Sequence, residues 1–165
     1  MNLIAAVDSN WGIGYNSQLL EQIPEDMKYF KEKTQGKVIV MGRTTFESLP
    51  NKKPLKQRVN IVLTKNKNYN CEGVTLCYSL EELFKELKKY NEEDIFIIGG
   101  ESIYSQLISH CHKAYITKIY KECVHDKVLV NLDNHKQWER VSTGEKREFK
   151  EGIYYSFNTY TKKTV

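Results

Sequence analysis

Short strand-like runs, β-branched and mostly apolar, that end in glycine or a polar turn and then pass into helix-like stretches restrict the fold of this chain more than any other feature. The runs fall at residues 3–7, 37–41, 59–63, 74–77, 95–98 and 114–119. Between them lie helical patterns. Pro24 opens one that reaches about Lys33, Thr44 begins a short one to Leu49, and Ser102 begins one to Ile108. Ser79 starts another, with Glu82 at the capping-box position and Leu80, Leu83, Phe84 and Leu87 on one face. Strands that are apolar at successive positions bury both faces, as they do in a parallel sheet covered by helices. From Trp138 the pattern changes to strands alone, and Ile153 to Tyr160 alternates aromatic with polar residues. The expected class is α/β: a mostly parallel twisted sheet with helices on both faces and an antiparallel strand at its C-terminal end.

The length, 165 residues, suits one domain over 1–165. No apolar run exceeds five residues, against the ~20 that a membrane helix needs. The chain enters a strand without a basic leader or small-residue cleavage site, so no secretory signal and a cytoplasmic setting are expected. Cys71, Cys77, Cys111 and Cys123 form no C-x-x-C pair and read as free thiols of a reducing compartment. His110-Cys111-His112 lacks ligand spacing on a helix, and no metal is expected. With 25 Lys+Arg against 21 Asp+Glu the net charge is a mild +4. Arginine occurs only at Arg43, Arg58, Arg140 and Arg147, and the lysines are interleaved with acids, as in Lys85-Glu86-Leu87-Lys88-Lys89. That is a solvated surface rather than a nucleic-acid face. Nothing calls for a dimer, and a monomer is expected.

Two strand-to-helix junctions carry the functional signal. In Val38-Ile39-Val40-Met41-Gly42-Arg43-Thr44-Thr45 a buried strand meets a glycine, a guanidinium and two hydroxyls at a helix start. In Ile95-Phe96-Ile97-Ile98-Gly99-Gly100-Glu101-Ser102 another apolar strand meets two glycines and a helix. Helix starts bind anions, and open α/β sheets bind ligands at strand C-termini. Either junction alone is ordinary turn geometry; two in one small domain point towards a dinucleotide as the ligand. After the third strand comes Thr64-Lys65-Asn66-Lys67 rather than an acid, which favours a 2′-phosphate and hence NADP over NAD.

The helix opening Pro24-Glu25-Asp26 has two readings. Acids in a first turn complement the helix dipole, and that accounts for both Glu25 and Asp26. Asp26 also lies on the face shared by Ile23, Met27 and Phe30. A carboxyl among apolar groups needs a partner or ligand and has its pKa raised, which makes it an acid–base candidate. Arg58, just before a strand, caps the sheet edge in solvent or clamps a carboxylate or phosphate at a cleft rim.

Taken in order, Ala5-Ala6-Val7-Asp8, Trp11-Gly12-Ile13-Gly14, Ile23-Pro24-Glu25-Asp26-Met27, Phe30-Lys31 and Val40-Met41-Gly42-Arg43-Thr44-Thr45-Phe46-Glu47-Ser48 form a recognisable series. It continues with Pro54-Leu55, Arg58-Val59-Asn60-Ile61-Val62-Leu63, Ile98-Gly99-Gly100, Tyr104 and Tyr115-Ile116-Thr117-Lys118-Ile119. From residue 1 to about 160 the chain resembles the dihydrofolate reductase family. The resemblance implies an eight-stranded sheet and NADPH-dependent reduction of 7,8-dihydrofolate to tetrahydrofolate in one-carbon metabolism. It implies that Asp26 binds the pterin 2-amino group and N3 and supports protonation at N5, with Thr117 steadying it. Met27, Phe30 and Leu49 would wall the substrate, Ile4, Ala5 and Ile98 would add walls and backbone carbonyls, and Arg58 would clamp the glutamate α-carboxylate. Ala6, Ile13 and Gly14 would meet the nicotinamide end. Gly42, Arg43, Thr44 and Thr45, with Gly99, Gly100, Glu101, Ser102, Ile103 and Tyr104, would hold the pyrophosphate. Arg43 with Leu63, Thr64 and Lys65 would hold the adenosine 2′-phosphate region.

The chain departs from the family pattern at three places. Leu19-Leu20-Glu21 stands where the family reads Leu-Pro-Trp, Glu101 where a third glycine is common, and Val130 where a proline often follows the Asp126 segment. Glu21 either faces the cleft and shares a low-dielectric region with Asp26, or swings into solvent while Leu19 and Leu20 pack the loop. Two other functions fit parts of the pattern: a pyrimidine ribosyl-phosphate reductase of riboflavin synthesis, and a nucleotide-binding module without chemistry. The first does not call for Pro24-x-Asp26 with Phe30 and Arg58; the second would leave Asp26 outside the cleft.

Overall fold

Five strands build a parallel core: β1 (Asn2–Val7), β3 (Val38–Gly42), β4 (Val59–Leu63), β5 (Thr75–Cys77) and β6 (Ile95–Gly99). The computed structural model describes residues 1–164. Successive residues of these strands face opposite ways, as the two-residue repeat requires. Leu3, Val40, Ile61 and Ile97 join one buried cluster, with Leu83, Leu87, Ile103 and Leu107 from two helices. Their sequence neighbours Ile4, Ile39, Met41, Val62 and Phe96 join a second cluster, with Phe46. Two covered faces explain why these strands read as unbroken apolar runs.

The helices are α1 (Pro24–Thr34), α2 (Arg43–Glu47), α3 (Leu80–Leu87) and α4 (Glu101–Leu107). Pro24 begins α1, with Glu25 and Asp26 in its first turn and Lys31 and Lys33 in its last. Ser79 caps α3: its hydroxyl accepts from the Glu82 N–H at 3.1 Å, while the Glu82 carboxylate accepts from the Tyr78 N–H at 2.7 Å.

Against β1 lies β7 (Lys113–Ile119), parallel, with Ala5 opposite Ile116 and Ala6 opposite Thr117. The chain then reverses through β9 (Trp138–Thr143), β10 (Arg147–Lys150) and β11 (Ile153–Lys162). β11 pairs antiparallel with β7, β9 and β10. The order is β10-β11-β7-β1-β6-β3-β4-β5, with β9 also on β11. The path has the eight strands that the resemblance implies, and β9, beside β10 on β11, adds a ninth to the sheet. Gly144 permits the break between β9 and β10, since a Cβ there would stand 2.8 Å from the Phe157 carbonyl oxygen.

A separate ribbon of β2 (Gly12–Gly14) and β8 (Lys127–Val128) lies off the sheet. The buried Asp8 carboxylate anchors it. Oδ1 accepts from the Gly12 N–H at 2.7 Å and the Asn10 N–H at 2.9 Å, and Oδ2 from the Cys123 N–H at 2.9 Å. Gly12 has no room for a side chain, because a Cβ would come within 2.6 Å of the His125 ring.

Candidate active site

β3 and β6 are parallel neighbours, so their helices α2 and α4 start side by side at one edge of the sheet. Gly42 ends β3 where a Cβ would press within 3.1 Å of Ile103 on α4. At the end of β6, the backbone φ of Gly99 is +123°, and its peptide to Gly100 is cis. Tyr104 packs its ring over Gly99 and donates its hydroxyl to the Ile4 carbonyl at 2.7 Å. Burial pushes the Tyr104 phenol far above its ordinary range, and Cys111 and Asp26 add to the shift. It serves as a fixed donor.

Along this edge runs a cleft of about 1170 Å³. Its lining brings together Ala6, Ile13, Gly14, Gly42, Arg43, Thr44, Thr45, Leu63, Thr64 and Lys65. Gly99, Gly100, Glu101, Ser102, Ile103 and Tyr104 complete the set expected for a dinucleotide, and Ala5 and Ile98 join it from the expected substrate wall. Arg43 does not stand alone there: it donates to Glu47 one turn on at 3.1 Å and lies over the Tyr69 ring. Sequence reasoning missed Ser17, Gln18, Leu19, Ser48, Tyr78, Ser79, Leu80, Gln106 and Lys127, which also line the cleft. Ser79 could have been found, since it follows β5 at the same edge of the parallel sheet. Lys127 sits on a two-residue strand that leaves no periodic trace.

Asp26, Thr117, Ile4, Phe30, Leu49 and Arg58 lie outside that lining, on the α1 side. Phe30, Leu49 and Ile98 pack on the cluster that contains Ile4. Met27 does not join them, being 55% exposed; the periodicity that put it on the apolar stripe marks a face without saying what covers it. Thr117, buried on β7, donates its hydroxyl to Asp26 Oδ1 at 2.5 Å. Burial raises the Asp26 pKa and the Thr117 hydrogen bond partly opposes it. The register carries this pair to the cleft, because Thr117 is opposite Ala6. Arg58 is half-buried; its Nη1 donates to Thr34 Oγ1 at 3.2 Å and its Nε to the Lys56 carbonyl at 2.9 Å. Neither contact carries charge, so the guanidinium keeps its capacity for an anion. Burial lowers its pKa.

Glu21 follows neither sequence-based reading. Its side chain is 13% exposed and pairs with Lys121 at 3.0 Å and Lys150 at 3.4 Å. The hydrogen bond from Lys121 leads in lowering its pKa. It is neither free in solvent nor a coupled acid beside Asp26. At the His110-Cys111-His112 run, the Cys111 thiol meets the Leu107 carbonyl at 3.4 Å and the His110 ring packs on Phe84. Both are ordinary packing.

A mostly parallel sheet whose strand ends open into one long cleft, with two helix starts and a protonatable carboxyl beside it, defines a small α/β protein of the dinucleotide-cleft class. A family model described as dihydrofolate reductase matches residues 1–162. The dihydrofolate reductase of Staphylococcus haemolyticus is 34% identical over 97% of this chain and 94% of its own length. That of Buchnera aphidicola (strain APS) is 37% identical over 95% and 96%. A solved dihydrofolate reductase from Enterococcus faecalis, complexed with NADP(H) and RAB-propyl, superposes with a TM-score of 0.86 at 33% identity, covering 99% of this chain and 96% of that one. The chain belongs to the dihydrofolate reductase family.

Proposed function

We propose that this chain is an NADPH-dependent dihydrofolate reductase, reducing 7,8-dihydrofolate to 5,6,7,8-tetrahydrofolate for one-carbon metabolism. One observation beyond family membership carries the reading: a half-buried carboxyl with a raised pKa, bonded to Thr117, adjoins a cleft built for a dinucleotide. The residues fit the cofactor. Gly42 and Gly100 leave room beside Ile103 and Thr45, two helix starts face the cleft, and Arg43 and Lys65 supply cations for a 2′-phosphate. Gly42, Thr44 and Thr45, with Gly99, Gly100, Ser102, Ile103, Tyr104 and the backbone of Glu101, would hold the pyrophosphate; Ala6, Ile13 and Gly14 would hold the nicotinamide end; Leu63 and Thr64 would flank the adenosine. When bound, NADPH supplies a hydride to C6 of the pterin.

The chain's own residues do the rest. Thr117 donates to Asp26 Oδ1 and steadies the carboxyl, whose two oxygens would accept from the pterin 2-amino group and N3–H. The raised pKa keeps a proton on Asp26 closer to neutral pH than on an exposed aspartate, and solvent passes it on to N5. A protonated N5 makes C6 more electrophilic. Ile4, Phe30, Leu49 and Ile98 supply the apolar walls that hold the ring and exclude water, Ala5 adds to them from the cleft, Met27 works at the rim, and Arg58 clamps the α-carboxylate of the glutamate tail. In this reading the protein works as one domain over 1–165, as a cytoplasmic monomer, with small-molecule ligands and no nucleic acid. Among the described residues no helix is long and apolar enough to cross a membrane.

Loss of NADPH absorbance on adding 7,8-dihydrofolate tests the activity. No loss, or loss with a pyrimidine ribosyl-phosphate instead, overturns it.

A further inference from the structure

Among the described residues β8 pairs with β2 alone, so its second edge presents backbone groups without a strand partner. On that edge the Val128 N–H donates to Glu101 Oε2 at 2.7 Å. Glu101 is the first residue of α4 and lines the cleft, and Lys127, next to Val128, lines it from the ribbon side. The ribbon also carries Ile13 and Gly14, and hydrogen bonds of 2.9 Å from the Asp126 N–H to the Gly14 carbonyl and from the Leu129 N–H to the Trp11 carbonyl tie its strands. As a first-turn acid Glu101 suits the α4 dipole, but it is an unexpected choice for a helix start that faces a dinucleotide. The start of α4 suits an anion, and a carboxylate there repels the phosphates of a dinucleotide. The residue is accounted for by what it holds, which is the free edge of β8.

We propose that Glu101 is a positioning residue for the cofactor, a strut from α4 to β8 that keeps the ribbon, and with it the Lys127 ammonium, at the rim of the cleft to serve the dinucleotide phosphates. The inference rests on the cofactor reading given above. The strut has a signature that a misplaced charge lacks. Glu101→Gln keeps a carbonyl oxygen for the Val128 N–H and removes the charge; Glu101→Ala removes both. If Glu101 were only a repelling charge, both variants would bind NADPH more tightly than the parent. As a strut, Glu101→Gln binds at least as tightly as the parent, while Glu101→Ala binds roughly five- to tenfold more weakly despite losing a like charge. Lys127→Ala weakens NADPH roughly fivefold in the parent and less than twofold in the Glu101→Ala background, since the lysine is then no longer held in place.

The experiment is calorimetric titration of NADPH into the parent, the three single variants and the Glu101→Ala/Lys127→Ala pair. Amide exchange at Val128 accompanies it, slow in the parent and in Glu101→Gln and fast in Glu101→Ala. Thermal melts and folate affinity without cofactor, unchanged across the set, separate the strut from a general loss of structure. NADPH binding that tightens in Glu101→Ala, additive losses in the pair, or folate affinity falling in step with NADPH affinity overturns the inference. A parent that fails to bind NADPH overturns the cofactor reading itself, and the inference with it.

Discussion

Removing the charge of Asp133 should cost stability at neutral pH and almost nothing in strong acid. Asp133 sits in the short turn Leu132–Asn134, where its carboxylate ties three strands together. Oδ1 accepts from Arg140 Nη2 of β9 at 2.6 Å and from the Tyr160 hydroxyl of β11 at 2.7 Å, while Oδ2 pairs with Lys118 Nζ of β7. Burial alone would push its pKa up, but the three donors outweigh it and hold the carboxyl at about 2, against 3.8 unperturbed. A depressed pKa adds stability that is present above the unfolded value and is lost as pH falls through the folded one. The window is therefore between pH 3.8 and about 2. At about 1.4 kcal/mol per pH unit the shift corresponds to about 2.5 kcal/mol, and solvent screening brings that to roughly 1–2 kcal/mol. The side chain is 28% exposed, so the screening is partial. Asp133→Asn should lower stability by that amount at pH 7, a fall of roughly 2–8 °C in Tm for a domain of this size. Urea unfolding followed by far-UV circular dichroism, run from pH 7 downward at fixed ionic strength, measures the gap between parent and variant. The gap should close as pH approaches 2. A gap of equal size at pH 7 and at pH 2.5 would refute the reasoning, because the ionised carboxylate would not then be its source.

Asp26 has the opposite sign: its raised pKa costs stability above its unfolded value, so Asp26→Asn should raise Tm at pH 7 while cutting single-turnover hydride transfer by roughly 10²–10⁴-fold. Activity should partly return as pH falls and solvent protonates the substrate; an unchanged rate at pH 7 sinks the role given to Asp26. Arg58→Ala should raise the KM for dihydrofolate roughly tenfold or more with kcat little changed, since the carboxylate is bound alike in ground and transition states. A pterin without the glutamate tail should not notice the change, and equal losses on both substrates would make Arg58 structural. Arg43→Ala should narrow the preference for NADPH over NADH in kcat/KM, by tenfold or less because Glu47 already shares the guanidinium, and Glu47→Gln should widen it. Glu21→Gln should leave the pH profile of hydride transfer overlaid on the parent's, since Lys121 and Lys150 occupy the carboxylate. A displaced apparent pKa would restore coupling to Asp26.

What could be read from the sequence follows from where each element finds its partners. Strands β1, β3, β4 and β6 are buried on both faces and announce themselves as apolar runs, and the glycines that end β3 and β6 mark the cleft. Pro24 and Ser79 fix the starts of α1 and α3 by local chemistry. The β2–β8 ribbon has no such trace. It is three residues against two, set by the Asp8 carboxylate and by partners more than a hundred residues away, and Lys127 is hidden with it. Glu21 was unreadable for the same reason, because the two lysines that hold it lie on a loop and a strand far along the chain. The sharpest case is Glu25 and Asp26. By every local rule they are equivalent, two acids in the first turn of one helix, each favoured by the dipole. Only the helical repeat separates them, and it also puts Met27, which the structure leaves exposed, on the same stripe as Asp26. What distinguishes Asp26 is the Thr117 hydroxyl, 91 residues away, carried to it by the pairing of β7 with β1. Propensity makes the two acids alike; burial, which raises the pKa, and the Thr117 hydrogen bond, which partly opposes the rise, set Asp26 apart.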